Sequence, residues 1–443
     1  MPEAGPLSWS ALSRWQKALF ALLLAYSVLH LGYSVAVYNP ISTPTISSDF
    51  HMSYREAEHW RRTGELKLLG ATNMPYPIFF YWWLSPLTTI PYPTLSAVLY
   101  LAQFLLFGWA LVLLVRLAAP DGAVRPMEWL IAFMLTANFQ PFLEAMSQHK
   151  AESLEFFLLC AALSAFRQGK DLSAGAALFF AASLKYLPGF LAIYFFLKRE
   201  WRVVAGFLLA GAVSVAAFSL LHGPQAFWDL GVRQTLWLGL SPEAEANHMN
   251  ATFELQSLTQ VVNRSFTRVE DPAAFREMLA RAQTVWVTHP RAAWRTGMLL
   301  KLLFFGLFLV CIRKRIPRRS QAWPPLLLEI SLALTLIPVF FKPFRLHYGI
   351  LLLPAFVTTG LVILQNAHRL KRMEKLLFCG GYALSAMLIP GGLLNRLPEH
   401  PLWGTSYARA YAWWSLPFYG YMLLGISSLL CRRRLLRNAA SDA

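Results

Sequence analysis

The feature that most constrains this chain is a series of apolar runs separated by short loops rich in arginine and lysine. Several runs approach the ~20 residues that a helix needs to cross a bilayer. Of the 443 residues, 56% are hydrophobic and only 14% are charged, where a soluble domain carries about a quarter charged. The pattern predicts an all-α polytopic membrane protein. The net charge of +17 would raise nucleic acid as a partner for a soluble protein. Here the basic residues sit between spans, so the expected partner is the lipid bilayer with its anionic headgroups, and not nucleic acid. Cys160, Cys311, Cys379 and Cys431 lie in or at the ends of apolar runs, with neither metal spacing nor a disulfide framework.

Arg14 and Lys17 set the start of the first span, 17–37, in the cytoplasm, so Asp49 emerges on the far side. The choice made at 172–197 decides the rest of the topology. As one helix, this stretch would put Lys198, Arg199 and Arg202 outside. Lys185-Tyr186-Leu187-Pro188 interrupts it, and proline disfavours helical geometry in the residue before it. Two short helices with Lys185 near an external tip bring every dense basic cluster to one side. The chain then makes twelve crossings with both termini inside. No tandem repeat or linker divides it, so 1–443 reads as one integral membrane domain. Its first external loop spans 39–94, and a long polar loop over 222–295 forms an external cap.

The first external loop contains a different kind of segment. Phe50, Tyr54, Ala57 and Trp60 recur at spacings of four and three, which puts them on one face of a helix. Arg55, Glu58, Arg61 and Arg62 fall mostly on the other face. This pattern predicts an amphipathic helix on the membrane, with Asp49 at its head. A carboxylate there either caps the helix by accepting free N–H groups of the first turn or serves as a general base, and spacing leaves both readings open. The aromatic stretch from Tyr76 to Pro86, bracketed by prolines, predicts an interfacial or re-entrant piece.

The polar residues at external loop ends form a short set: Asp49, His51, Glu144, Gln148, His149, Lys150, Glu152, Lys185, Lys342, Arg345, His347 and Arg396. Each lysine or arginine alone is satisfied by snorkelling, and His347 by an interfacial hydrogen bond. Together, several cations beside a carboxylate at one membrane level point to an anionic ligand, which a lipid phosphate fits. The chain has no nucleotide-binding G-x-x-x-x-G-K-[ST] loop and no H-E-x-x-H zinc motif, and no cofactor is expected. The sequons Asn250-Ala251-Thr252 and Asn263-Arg264-Ser265 are too short and common to carry weight.

From Asp49 to Pro354 the chain resembles the bacterial polytopic glycosyltransferases of family 87 in the GT-C class, the polyprenyl-phosphate-mannose-dependent mannosyltransferases. The resemblance is carried by Asp49-Phe50 with Tyr54 and Gly64, and by Tyr76-Pro77 followed by Pro86-Leu87 and Ile90-Pro91. Further along come Leu184-Lys185 with Pro188, Gln256-Ser257-Leu258 with Asn263-Arg264, and His347-Tyr348 before Leu351-Leu352-Leu353-Pro354. Gln148 sits where that family tends to have Gly-Gln-x-Asn, with Ser147 and Lys150 at the flanking places here.

The resemblance implies a GT-C fold of about 12 transmembrane helices. It also implies transfer of a sugar, mannose foremost, from a polyprenyl-phosphate donor to a glycan or glycolipid hydroxyl outside the cytoplasmic (inner) membrane. The acid at the start of the first external loop is the base in that class, which maps to Asp49. Lys185, Arg345 and His347 would hold the donor phosphate, with no metal required. His51, Tyr54, Tyr76, Gln148, Lys150, Gln256 and Tyr348 would contact substrate. A transporter or flippase of a lipid-linked sugar is the alternative, since it would use the same outward cations.

Overall fold

The computed structural model describes residues 9–37, 49–64, 76–119, 124–147, 151–233, 258, 261–262, 290–314, 316, 323–341, 346–366, 372–388 and 416–441. The described residues are helical, with short turns between the helices and no strand among them. In chain order the helices are α1 (Arg14–Val37), α2 (Asp49–Thr63), α3 (Ile78–Leu87), α4 (Tyr92–Ala118), α5 (Pro126–Ala137), α6 (Gln140–Ser147), α7 (Glu152–Arg167) and α8 (Asp171–Leu184). They continue with α9 (Phe190–Leu197), α10 (Trp201–His222), α11 (Pro290–Ile312), α12 (Trp323–Thr335), α13 (Leu353–Asn366), α14 (Arg372–Leu388) and α15 (Leu416–Ser441).

Among the described residues, six helical stretches are long and apolar enough to cross a membrane: Arg14–Ala36, Tyr92–Ala118, Trp201–His222, Arg295–Ile312, Trp323–Phe340 and Tyr348–Gln365. The described helices α5, α7, α8, α9, α14 and α15 are shorter or more polar than these. The long spans divide by surroundings. On α10, Leu208, Leu209, Val213, Leu220 and Leu221 are exposed, as expected of a face that meets lipid. Trp323–Phe340 and Tyr348–Gln365 are largely buried, which suits helices apolar on every side.

The chain forms two compact units that interleave along the sequence. One combines 1–31, 115–143 and 249–443; the other combines 32–114 and 144–248. In the first unit, α12, α13 and α15 are joined through buried polar pairs. Ser331 and Thr358 hydroxyls lie 3.0 Å apart, and Thr359 and Ser428 hydroxyls 2.7 Å apart. Arg432 donates to Glu329 with both side chains buried, and the Trp323 indole donates to the Leu117 carbonyl at 2.7 Å.

In the second unit the hairpin predicted at Lys185 is present. Residue 185 is extended (φ −156°, ψ 137°) and ends α8; a tight helical turn, Leu187–Gly189, leads into α9. Helix α8 packs along α10 with their chains running parallel. Gly206 lies against Leu172, Gly211 against Phe179, and Leu184 and Phe218 share one cluster. Positions therefore rise together on both helices, and α9 must return between them. The returning end of α9 meets the end of α7, with the Phe166 and Phe195 rings 4.8 Å apart. Arg167, Lys170, Lys198, Arg199 and Arg202 thus gather at one end of the unit, while Glu152, Lys185 and His222 stand at the other.

Glycine permits this packing. A β-carbon on Gly175 would strike the Val203 carbonyl, and one on Gly206 would strike the Leu172 carbonyl. Small residues of this kind let membrane helices approach backbone to backbone.

Candidate functional site

The inner face of α2 forms as its sequence period predicts: Phe50, Tyr54, Ala57 and Trp60 are buried, while Arg55, Arg61 and Arg62 are exposed. The face is covered by protein. It packs on α3 and on Phe218 of α10, in a cluster that includes Tyr76, Phe79, Phe80 and Tyr81. The stretch expected at the membrane interface is this short helix α3. Its ten residues cover about 15 Å, half of a hydrocarbon core. Each fully buried side chain of this size contributes about 1.5–3 kcal/mol, so the cluster fixes α2 and α3 as one rigid wall.

Polar groups line that wall. Ser53 and Glu56 are buried on the same side of α2. Ser53 hydrogen-bonds Tyr81, and Glu56 and Tyr186 both act electrostatically on that phenol. Burial first, then the Glu56 carboxylate and Tyr186, hold the Tyr81 hydroxyl well above its ordinary pKa, so it stays protonated. Helix α2 is therefore tied to α3 through the Ser53–Tyr81 hydrogen bond.

At the tip, Lys185 Nζ lies 2.5 Å from Glu152 Oε1. Their side chains are 4% and 1% exposed. The ammonium also stands 5.2 Å from the centroid of the Tyr76 ring, within cation–π range. Glu155, one turn along α7, is 1% exposed and feels both the ammonium and the Glu152 carboxylate. Among the described residues, its Oε1 meets no hydrogen-bond donor. Breaking a buried ion pair costs about 3–5 kcal/mol because the surviving charge is left uncompensated. The helix break at 185 therefore sets the Lys185 side chain against a carboxylate inside an aromatic wall.

The structure brings together four of the residues expected from sequence. Tyr76 stacks on Phe80 at 4.3 Å, beside Lys185. Tyr54 donates to the Ile90 carbonyl at 2.9 Å, tying α2 to the turn after α3. His51 packs edge-on against Tyr92, with ring centroids 4.6 Å apart. Asp49 is the first residue of α2; its side chain lies outside the described part of the structure. Tyr348 belongs to the other unit, where it is buried and tilted against Phe341 at 6.5 Å. His347 is described by its backbone alone, within the tight helical segment Leu346–Leu352. Gln148, Lys150, Gln256 and Arg345 lie outside the described residues.

Sequence reasoning placed Glu152 among the outer polar residues without a role, and passed over Glu56 and Glu155. A signal for the second pair existed. Glu152 and Glu155 are three apart on an otherwise apolar helix, and carboxylates there must find partners. Among the described residues, no three His, Cys, Asp or Glu gather to hold a metal ion.

These features define an all-α, multi-pass membrane protein with a buried, charged, aromatic-walled site at one end of a helical unit. The sequence model of glycosyltransferase family 87 matches residues 75–341, more than half of the chain, which belongs to that family. The matched range contains Tyr76, Glu152 and Lys185, while Asp49 precedes it and His347 follows it. No curated protein and no solved structure matches the chain.

Proposed function

We propose that this glycosyltransferase moves mannose from a polyprenyl-phosphate carrier to a hydroxyl of a glycan or glycolipid, on the non-cytoplasmic face of the cytoplasmic membrane. The observation that carries the reading is the buried Lys185 ammonium beside Tyr76, at the end of its unit opposite the clustered arginines and lysines. Basic loops mark the cytoplasmic side, so the lysine belongs to the outer leaflet's headgroup level. A lipid phosphate arriving there meets a fixed positive charge.

The chemistry follows from the residue types. Asp49 accepts the proton of the acceptor hydroxyl as its oxygen attacks the anomeric carbon. The bond from that carbon to the phosphate oxygen breaks, and the phosphate leaves with the electron pair. A single displacement inverts the anomeric centre. A positioned carboxylate contributes about 100- to 10000-fold. Lys185 takes up the charge growing on the leaving phosphate. His51, Tyr54, Tyr76, Gln148 and Lys150 complete the substrate contacts.

The test uses full-length protein with polyprenyl-phosphate mannose labelled in the sugar, together with lipid acceptors extracted from the native membrane. Asp49→Asn is expected to fold normally and to lose transfer by at least about 100-fold. Wild-type turnover in that variant would remove Asp49 from the base role. Movement of the labelled lipid across the bilayer, with no sugar ever transferred, would favour a flippase.

A further inference from the structure

We infer that Glu152 is a positioning residue for sugar transfer, holding the Lys185 ammonium charged and aimed for the donor phosphate. The inference rests on the proposal that Lys185 binds that phosphate. Three observations carry it. Glu152 and Lys185 are paired at 2.5 Å, with the lysine side chain 4% exposed and the glutamate 1%. Lys185 lies at a helix break with extended backbone, where no helical geometry dictates the direction of its side chain. The Tyr76 ring closes another side of the ammonium at 5.2 Å.

A lysine ammonium has three donors. Glu152 Oε1 takes one of them. The carboxylate and the ring therefore constrain where the remaining donors point. Glu155 also acts on this ammonium from one turn along α7, but Glu152 is the carboxylate at hydrogen-bond distance, and a buried lysine that loses such a partner holds its proton less firmly. It would then be a poor ligand for a phosphate. Glu152 never touches the reacting atoms; it acts through Lys185.

Equilibrium binding of a polyprenyl monophosphate lipid to the full chain in nanodiscs measures this directly and needs no knowledge of the acceptor. Lys185→Gln is expected to weaken binding about tenfold or more, the scale of one charged hydrogen bond. Glu152→Gln is expected to weaken it comparably, and the double variant no further, since two groups acting as one unit are not additive. Glu152→Asp, which keeps the charge, is expected to recover most of the loss. Binding is measured well below the lowest thermal midpoint of the set, so every variant is folded when it is tested.

Additive losses in the double variant would overturn the inference. So would a Glu152→Gln variant that binds like wild type while Lys185→Gln does not, or a Glu152→Asp variant that binds as weakly as Glu152→Gln although its thermal midpoint recovers. If Lys185→Gln itself binds normally while the wild-type protein still transfers sugar, the phosphate-binding role of Lys185 fails and transferase activity stands.

Discussion

Two glutamates one turn apart on α7 have opposite circumstances. Glu152 is paired with Lys185 at 2.5 Å. Glu155 is equally buried, and among the described residues its Oε1 finds no donor. The physical chemistry predicts opposite responses to the same substitution. Glu152→Gln removes the carboxylate that pairs directly with a buried lysine, and breaking such a pair costs about 3–5 kcal/mol. Glu155→Gln keeps the side chain's shape and replaces a carboxyl whose charged form the interior disfavours, which is neutral to stabilising. Thermal unfolding in detergent is expected to show a clear drop for the first variant and none for the second. Equal drops would mean that Glu155 has a partner of comparable strength. At this scale the residue types were legible in the sequence, because ionisable groups in apolar helices stand out. The pairing was not, since Glu152 and Lys185 are 33 positions apart.

Elements were read more securely than contacts. The break at Lys185-Tyr186-Leu187-Pro188 follows from proline chemistry and from the charge of the next loop, and the hairpin is there. The face of α2 follows from its period. What covers that face does not follow from the period. A stripe of Phe50, Tyr54 and Trp60 suits lipid as well as protein, and only packing showed that α3 and Phe218 cover it. The close approach of α8 and α10 makes a sharper test. Gly175→Ala and Gly206→Ala each push a methyl group into backbone carbonyls that cannot rotate away. Each is expected to cost about 1–3 kcal/mol, in the range of core overpacking, and to lower the thermal midpoint. Gly108→Ala, with open space around its β position, should not. A Gly206→Ala protein as stable as wild type would mean that the two helices separate without penalty.

For the molecule as a whole, the orientation proposed here predicts opposite sides for two exposed arginines. Arg62 closes α2 near the candidate site, and Arg199 turns the chain at the basic end between α9 and α10. In intact cells, a membrane-impermeant thiol reagent is expected to label Arg62→Cys and to spare Arg199→Cys until the membrane is opened. Labelling of both from outside would defeat the assigned orientation. The amino-acid sequence by itself determined the class, the helical elements and the gathering of basic loops. These depend on composition, on periods of a few residues and on the cost of carrying charge across lipid, all of which are local. Only the tertiary structure decided that the chain forms two interleaved units, that α8 and α10 run parallel with backbones touching, and that Lys185 keeps Glu152 for company. Those outcomes depend on which distant surfaces fit each other in three dimensions, a matter of shape and pairing that no local spacing encodes.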